Sequence, residues 1–379
     1  MLGLSSTLAG ATKIPLGTEG QALTVNFQLQ TWAGLTQDAN PAGDGLGYDF
    51  RLRRVRAVIS AEPTDKWAFL LQLDAANFGT GQDYSPRFLP QDAWVSYSPT
   101  GRSAKNVFMV DAGFLLVPLS RQALSSTTSF TTIDVHLDAV RGFREGPGIR
   151  DLGVQVRGWA LDKKIGYRGG IYRGVTGTQG DLSAANPRAG LNPSSHPRLG
   201  GFVNFNILGT EEGNWLYQGI YFQEKPVVSV GVGGGYQSKA VRGPSGLTDT
   251  RVFSGDFFAD LPTGAEGEGV VHATAYRNDF GGGSANTGWG YFVDAGYRFG
   301  FVMPYASYEG FNADSCPDGL VAPACTADTQ NSSIIKAGLH FYINKNANHI
   351  DVEYANARSL KPSDADRVNS VLVQWNTVF

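Results

Sequence analysis

Apolar and polar residues alternate with a period of two along most of this chain, and that regularity restricts it to β-sheet architectures. Leu23, Val25, Phe27 and Leu29 alternate with Thr24, Asn26, Gln28 and Gln30. Trp67, Phe69, Leu71 and Leu73 alternate with Ala68, Leu70, Gln72 and Asp74. The same holds for Tyr291, Val293, Ala295 and Tyr297 against Phe292, Asp294, Gly296 and Arg298, and for Ile335, Ala337, Leu339 and Phe341 against Lys336, Gly338 and His340. Successive side chains of a strand point to opposite faces, so each run is a strand with one apolar face and one polar face.

Sixteen such runs can be counted: 21–34, 48–61, 66–77, 88–98, 105–117, 150–161, 164–174, 197–209, 227–238, 250–261, 269–280, 288–299, 301–312, 332–344, 349–359 and 368–379. Many reach ten or twelve residues, longer than the five or six usual in globular sheets. No motif repeats at the roughly 40-residue period of a propeller, and no linker divides the chain as several sandwiches would need. Short connections (62–65, 162–163, Gly300, 345–348) alternate with long ones (35–47, 118–149, 175–196, 313–331). That phase belongs to a closed antiparallel transmembrane β-barrel with short periplasmic turns and longer outer loops. The expected fold is therefore all-β: one domain over residues 1–379, sixteen strands, an N-terminal segment 1–20, and the third loop, 118–149, folded into the lumen. The stretch 214–225, "NWLYQGIYFQEK", also resembles a strand. A seventeenth strand would break the phase, so it is assigned to a longer periplasmic connection.

Composition agrees. Charged residues are 17% of the chain against about 25% in soluble proteins, and glycine contributes 49 residues. The net charge of −3 and the pI of about 6.0 lack the basic footprint of a nucleic-acid binder. Nothing approaches eighteen consecutive apolar residues, which excludes a transmembrane helix but not a barrel. The start, "MLGLSSTLAGATKIPLG", has no basic n-region and no apolar h-region, and is expected to be a mature chain whose export signal is missing. The alternative is a cytosolic chain that never carried one. HExxH, GxSxG and Walker motifs are absent, and the five histidines show no metal-ligand spacing. No catalytic residue, metal or cofactor is expected. "GVGGGY" (231–236) is followed by no helix, so it marks a smooth strand face or a close protein contact rather than a phosphate cradle.

Several stretches resemble the phosphate-selective porin O and P family. They are the Arg-rich "FRLRRVRAVIS" (50–60), "QDAWVSYS" (91–98), "DAGFLLVPLSRQALSSTTSFTTID" (111–134), "RDLGVQVRGWALDKKIGYRGGIYRG" (150–174), and "GGFVNFNILGTEEGNW" with "VSVGVGGGYQ". Their order carries the resemblance, which covers most of the chain. It implies a sixteen-stranded bacterial outer-membrane porin, often trimeric, with loop three in the lumen. Its partners would be outer-membrane lipid, small hydrophilic solutes or anions, and the barrel-assembly machinery, which recognises a terminal aromatic such as Phe379. Leu116 departs from the family, whose members often carry a lysine there, and weakens any transfer of phosphate selectivity.

Arg51, Arg53, Arg54 and Arg56 form the densest charge cluster. Arg54 and Arg56 are expected to face the lumen, with Arg51 and Arg53 near the outer rim. They either attract anions, for which the planar guanidinium fork is suited, or pair with wall carboxylates; both readings stay open. By strand phase the other lumen cations are Arg157, Arg168, Arg298 and Lys336, against the carboxylates Asp74, Asp92, Asp111, Asp151, Asp256, Asp294, Asp351 and Glu353. The third loop would bring Arg121, Asp134, His136, Asp138, Arg141, Arg144 and Glu145 to the constriction, unless it lies on the surface. Cys316 and Cys325 fall in one outer loop; an oxidising compartment and an even count favour a disulfide. The expected function is a passive diffusion channel with at most mild anion preference. The alternatives are a structural or adhesive barrel with a plugged lumen, or a barrel enzyme using Ser125, Ser126 and His136.

Overall fold

The computed structural model describes residues 12–15, 21–40, 42–80, 85, 87–101, 104, 106–137, 139–140, 149–174, 196–211, 215–223, 225–243, 246–264, 266–281, 286–314, 316, 330–358 and 367–379. Among them are seventeen strands. The first nine are β1 (Thr12–Pro15), β2 (Ala22–Thr36), β3 (Gly47–Ala61), β4 (Trp67–Asp74), β5 (Leu89–Tyr97), β6 (Val107–Leu116), β7 (Arg150–Ala160), β8 (Ile165–Tyr172) and β9 (Arg198–Leu208). The rest are β10 (Val227–Gly243), β11 (Gly246–Pro262), β12 (Gly267–Asp279), β13 (Gly288–Phe299), β14 (Val302–Ala313), β15 (Ser332–Asn344), β16 (Asn348–Arg358) and β17 (Arg367–Val378). Every strand from β2 to β17 pairs antiparallel with its chain neighbours, and β17 returns to β2, with Ser370 opposite Thr36 and Val378 opposite Gln28. These sixteen strands close the barrel and leave no open edge in the ring. The sixteen expected runs are all strands.

Two features were not expected. The N-terminal segment contributes β1, which pairs with Ala22–Val25 of β2. And β10 and β11 are seventeen residues each, joined across 244–245 where a longer connection was expected. Elsewhere the alternation of lengths holds. The end that carries Phe379 has tight connections such as 161–164, 263–266, 345–347 and 300–301, the last turned by Gly300 at φ 58°. The one long connection at this near end is 209–226, and among its described residues no strand forms, as the phase argument required.

Period two sorts the side chains. On β15, Ile335 and Leu339 are exposed on the outer face, while Lys336 and His340 are buried inside. The aromatics expected at strand ends gather at the near end: Trp67 meets Tyr97 in a tilted pair at 4.7 Å, Phe27 stacks on Phe379 at 6.0 Å, and Phe299, Phe301 and Trp375 are exposed nearby. Tyr48, Phe50 and Trp289 are exposed toward the far end. An outward apolar band between aromatic girdles fits a lipid surround.

Candidate functional site: the lumen and the loop that crosses it

The third loop, 117–149, enters the lumen directly after β6. Its first residues lie on bare wall. A Cβ on Gly233 of β10 would stand 2.4 Å from the Leu119 carbonyl oxygen, so only glycine lets the loop backbone approach there. Leu119 thus accounts for Gly233 and Gly235 of "GVGGGY", while Gly231 makes room for the Phe202 ring. The Ser254 hydroxyl donates to the same carbonyl at 2.6 Å, and the Arg121 amide donates to Asp256 at 3.3 Å. A single 3-10 turn, Gln122–Leu124, follows, and Ser120 and Gln122 both bond the Tyr276 hydroxyl.

The loop then crosses to the opposite wall. Thr127 takes a bond from Arg56 at 2.6 Å on its hydroxyl and one from Gln30 at 3.0 Å on its carbonyl. His349 and His340 donate to the carbonyls of Thr128 and Thr131 at 3.0 and 2.6 Å, and the Ile133 amide donates to Glu353. Asp134 meets Arg54 at 2.6 Å and Arg53 at 2.8 Å. Burial pushes the Asp134 carboxyl up, but the Arg54 and Arg53 guanidiniums outweigh it and hold it below the usual carboxylate range. His136 finally sits between Asp294, at 2.9 Å, and Glu309. Burial alone would lower the imidazole; the two carboxylates outweigh it and raise it to about 9. The loop is thus folded inward and bonded to most of the lumen circumference, not laid on the surface.

A second segment meets it from the other end. The 209–226 connection turns up into the barrel, where the Tyr217 amide donates to the Leu124 carbonyl and the Ser126 amide to the Tyr217 carbonyl, each at 2.8 Å. Arg121 clamps the two segments together. It bonds Glu211 at 2.8 Å and the Gln218 carbonyl at 2.7 Å, and its guanidinium lies 3.5 Å from the Phe258 ring centre. Trp215 packs on Trp94 at 4.5 Å, with Arg157 4.9 Å from its ring. Around this junction Leu115, Leu116, Leu119 and Leu124 are fully buried with Tyr172, Phe202 and Tyr276. Each such leucine contributes about 1.5–3 kcal/mol by burial. One sector of the lumen is therefore a packed core.

That core reaches Val58, Leu70 and Trp94 of β3 to β5, and beside these residues the sector along β3 to β5 keeps space. A cavity of about 550 Å³ opens toward the far end, lined by Asp74, Asn77, Arg87, Gln91 and Arg150. A smaller one, about 80 Å³, lies toward the near end between Gln28, Arg56, Gln72, Asp92 and Thr127. Between them runs a polar layer. Arg56 and Gln91 bond Asp74 at 3.0 and 2.9 Å, and Arg150 and Gln72 bond Asp92 at 3.1 and 3.2 Å.

Of the expected pore-lining residues that are described, Arg54, Arg56, Arg121, Arg157 and Lys336 are buried inside the barrel. Arg51 pairs with Asp49 at 2.7 Å toward the far rim. Arg53 does not stay at the rim. Gln30 opposes Arg54 while Thr31 opposes Leu52, so Arg53 is the extra residue of a bulge and turns inward beside Arg54. Arg157 pairs with Asp111 at 2.6 Å and Lys336 with Glu309 at 2.7 Å. Arg51, Arg53, Arg54, Arg56, Arg121, Arg157 and Lys336 thus each have an acidic partner. Arg141, Arg144, Asp138 and Glu145 lie outside the described residues. Cys316 is disulfide-bonded; Cys325 lies outside the described residues. The Ser125 hydroxyl donates to the Arg121 carbonyl, Ser126 bonds Thr128, and the ring nitrogens of His136 face carboxylates. Sequence reasoning missed the inward course of 209–226 and the wall histidines. The available signal was Trp215, Tyr217 and Ile220: an apolar pattern in a connection has to be covered by something.

The fold is shared with solved outer-membrane porins. An anion-selective porin from Comamonas acidovorans matches over 95% of this chain and 100% of its own, with a TM-score of 0.58 at 16% identity. OmpF of Salmonella typhi, solved with daunomycin, matches over 97% and 100% at a TM-score of 0.56 and 14% identity. The outer-membrane channel DcaP of Acinetobacter baumannii matches over 96% and 99% at a TM-score of 0.56 and 12% identity. The sequence matches no protein-family model and no curated protein.

Proposed function

We propose that this chain is a bacterial outer-membrane porin, a passive diffusion channel for small hydrophilic solutes and ions, without enzymatic activity. The observation that carries it is the closed sixteen-strand barrel whose wall along β3 to β5 keeps two cavities, lined by polar and apolar residues together, beside an inserted loop. On this reading solutes pass off the barrel axis, between the third loop and that wall, through the layer of Arg56, Asp74, Gln72, Gln91, Asp92 and Arg150. A barrel enzyme is disfavoured because His136, held by Asp294 and Glu309, has no ring nitrogen left to activate Ser125 or Ser126.

Mild anion preference is the finer proposal. The Arg53, Arg54 and Arg56 row and the resemblance to the phosphate-selective family support it, and one structural neighbour is named anion-selective. Carboxylate partners on each of these arginines keep the preference small. The family resemblance also supports a homotrimer in outer-membrane lipid. It further supports recognition of Phe379 by the barrel-assembly machinery. Constriction roles for Arg141 and Arg144, and a Cys316–Cys325 disulfide, belong to the same proposal.

Purified protein in a planar bilayer should give stepwise current, with a zero-current potential displaced modestly toward anions in a salt gradient. Absence of steps would sink the channel reading. It would favour the second reading, a structural barrel with a plugged lumen. The junction of the third loop with 209–226 through Leu124, Ser126 and Tyr217 speaks for that reading.

A further inference from the structure

We propose that His340, His349 and Asp351 form a divalent transition-metal site that ties the wall of the barrel to the tip of the third loop. The tight turn 345–347 sets β15 against β16 so that His340 lies directly opposite Asp351, and His349 opposite Tyr342. All three side chains point into the lumen and are at most 4% exposed. A ligand atom from each lies within 4.8 Å of the others. The Nδ1 atoms of His340 and His349 converge on a single oxygen, Asp351 Oδ1, at 2.6 and 2.8 Å.

The outer contacts decide which atoms are available. His340 Nε2 faces the Thr131 carbonyl and His349 Nε2 the Thr128 carbonyl. A carbonyl only accepts, so both Nε2 atoms carry the hydrogen. In neutral imidazoles that leaves two Nδ1 lone pairs aimed at a carboxylate oxygen. The arrangement is repulsive until positive charge sits among the three atoms. Asp351 is held in place by Gln374, which donates to its second oxygen at 2.7 Å. Imidazoles that donate their far nitrogen to a backbone carbonyl, beside a carboxylate that is itself hydrogen-bonded, are the usual outer shell of a metal site. Two imidazoles and one carboxylate suit Zn²⁺, Cu²⁺ or Ni²⁺, with a fourth position for water. Zinc bonds of about 2.0–2.1 Å place ligand atoms roughly 3.3 Å apart, so each imidazole nitrogen would withdraw from the Asp351 oxygen by about half an ångström. Because the same imidazoles hold Thr128 and Thr131, a bound ion would fix the tautomer on which the loop attachment depends.

The inference rests on the fold and not on conduction, so the two fail separately. The test is isothermal titration of untagged, EDTA-treated, detergent-solubilised barrel with Zn²⁺, and with Co²⁺ followed by visible absorption. One Zn²⁺ per chain should bind at about 10 μM or tighter, and Co²⁺ should give d–d bands of a low-symmetry site. His340→Gln and Asp351→Asn should each abolish stoichiometric binding, and Gln374→Leu should weaken it about tenfold. Wild-type protein that binds no stoichiometric Zn²⁺ and gives no Co²⁺ bands would overturn the proposal; two protons would then supply the charge. Equal binding by folded His340→Gln protein would overturn it too. Should a ligand variant fail to fold, the Co²⁺ spectrum of the wild type and the Gln374→Leu titration still decide.

Discussion

The two sides of the lumen are built on opposite principles. Along β10 and β11 the wall is bare or small beneath Leu119, at Gly233 and Ser254, and the loop seals against it there through backbone contacts and leucines. Along β3 to β5 the wall projects long charged and amide side chains that hold the loop by its polar atoms and leave cavities between them. Close packing excludes water; fully paired polar groups need not. The first side positions the loop, and the second is where a hydrated solute has room.

Breaking the polar side should have the largest effect. Asp134→Asn removes the shared partner of Arg53 and Arg54, leaving one half-buried and one buried cation without it. A loss of about 3 kcal/mol is expected, read as a lower urea midpoint, together with a zero-current potential displaced toward anions. Arg54→Gln combined with Arg56→Gln should displace it toward cations. An unchanged potential in both proteins would show that this wall does not face the permeating ion.

The glycine side is sharpened by a pair of variants. Gly233→Val should cost about 1–3 kcal/mol by overpacking against Leu119 and raise the conductance by loosening the loop. Gly255→Val, on the outer face with nothing within 4 Å, should stay within about 0.5 kcal/mol of the parent. Equal losses in the two would mean that valine hurts these strands for reasons unrelated to the loop.

Smaller still is the effect of pH at His136, which Asp294, Glu309 and Lys336 surround, with His272 beyond Asp294. Its folded value of about 9 lies above the 6.5 of a free imidazole. The attachment it provides is therefore complete below about 6.5 and is lost as pH rises through 9. Protease cleavage of the third loop should accelerate between pH 7 and 10, and His136→Gln should flatten that profile. A wild-type profile already flat would remove His136 as a pH-dependent tie. Least of all, reducing the bond at Cys316, in the far-end connection, should leave conductance unchanged. A changed conductance would place that connection in the permeation route.

The barrel was legible because period two survives along most of each strand: Lys336 and His340 inside and Ile335 and Leu339 outside follow from counting alone. The inward third loop was legible from its length. Arg53 was not, because a bulge shifts the phase by one residue and a count cannot see an insertion that pairing tolerates. Residues 214–225 looked like a strand that did not fit, and their apolar side chains only make sense once a loop from the other end is there to cover them. His340 and His349 stand nine positions apart; the turn that brings them together, and the carbonyls that orient them, belong to two different parts of the chain.

Strand β2 is the neighbour of both ends of the described chain. On one side β3 pairs along nearly its whole length. On the other, β17 covers Gln28 to Thr36, Phe379 exchanges two backbone bonds with Phe27, and β1 takes Ala22 to Val25. The seam of the barrel is thus zipped by two separate pieces laid end to end. Without β1, four residues of β2 would offer free amides and carbonyls at the barrel foot, a template on which a second molecule could add a strand. The short first strand acts as a selvedge: it finishes the cloth where the last thread stops.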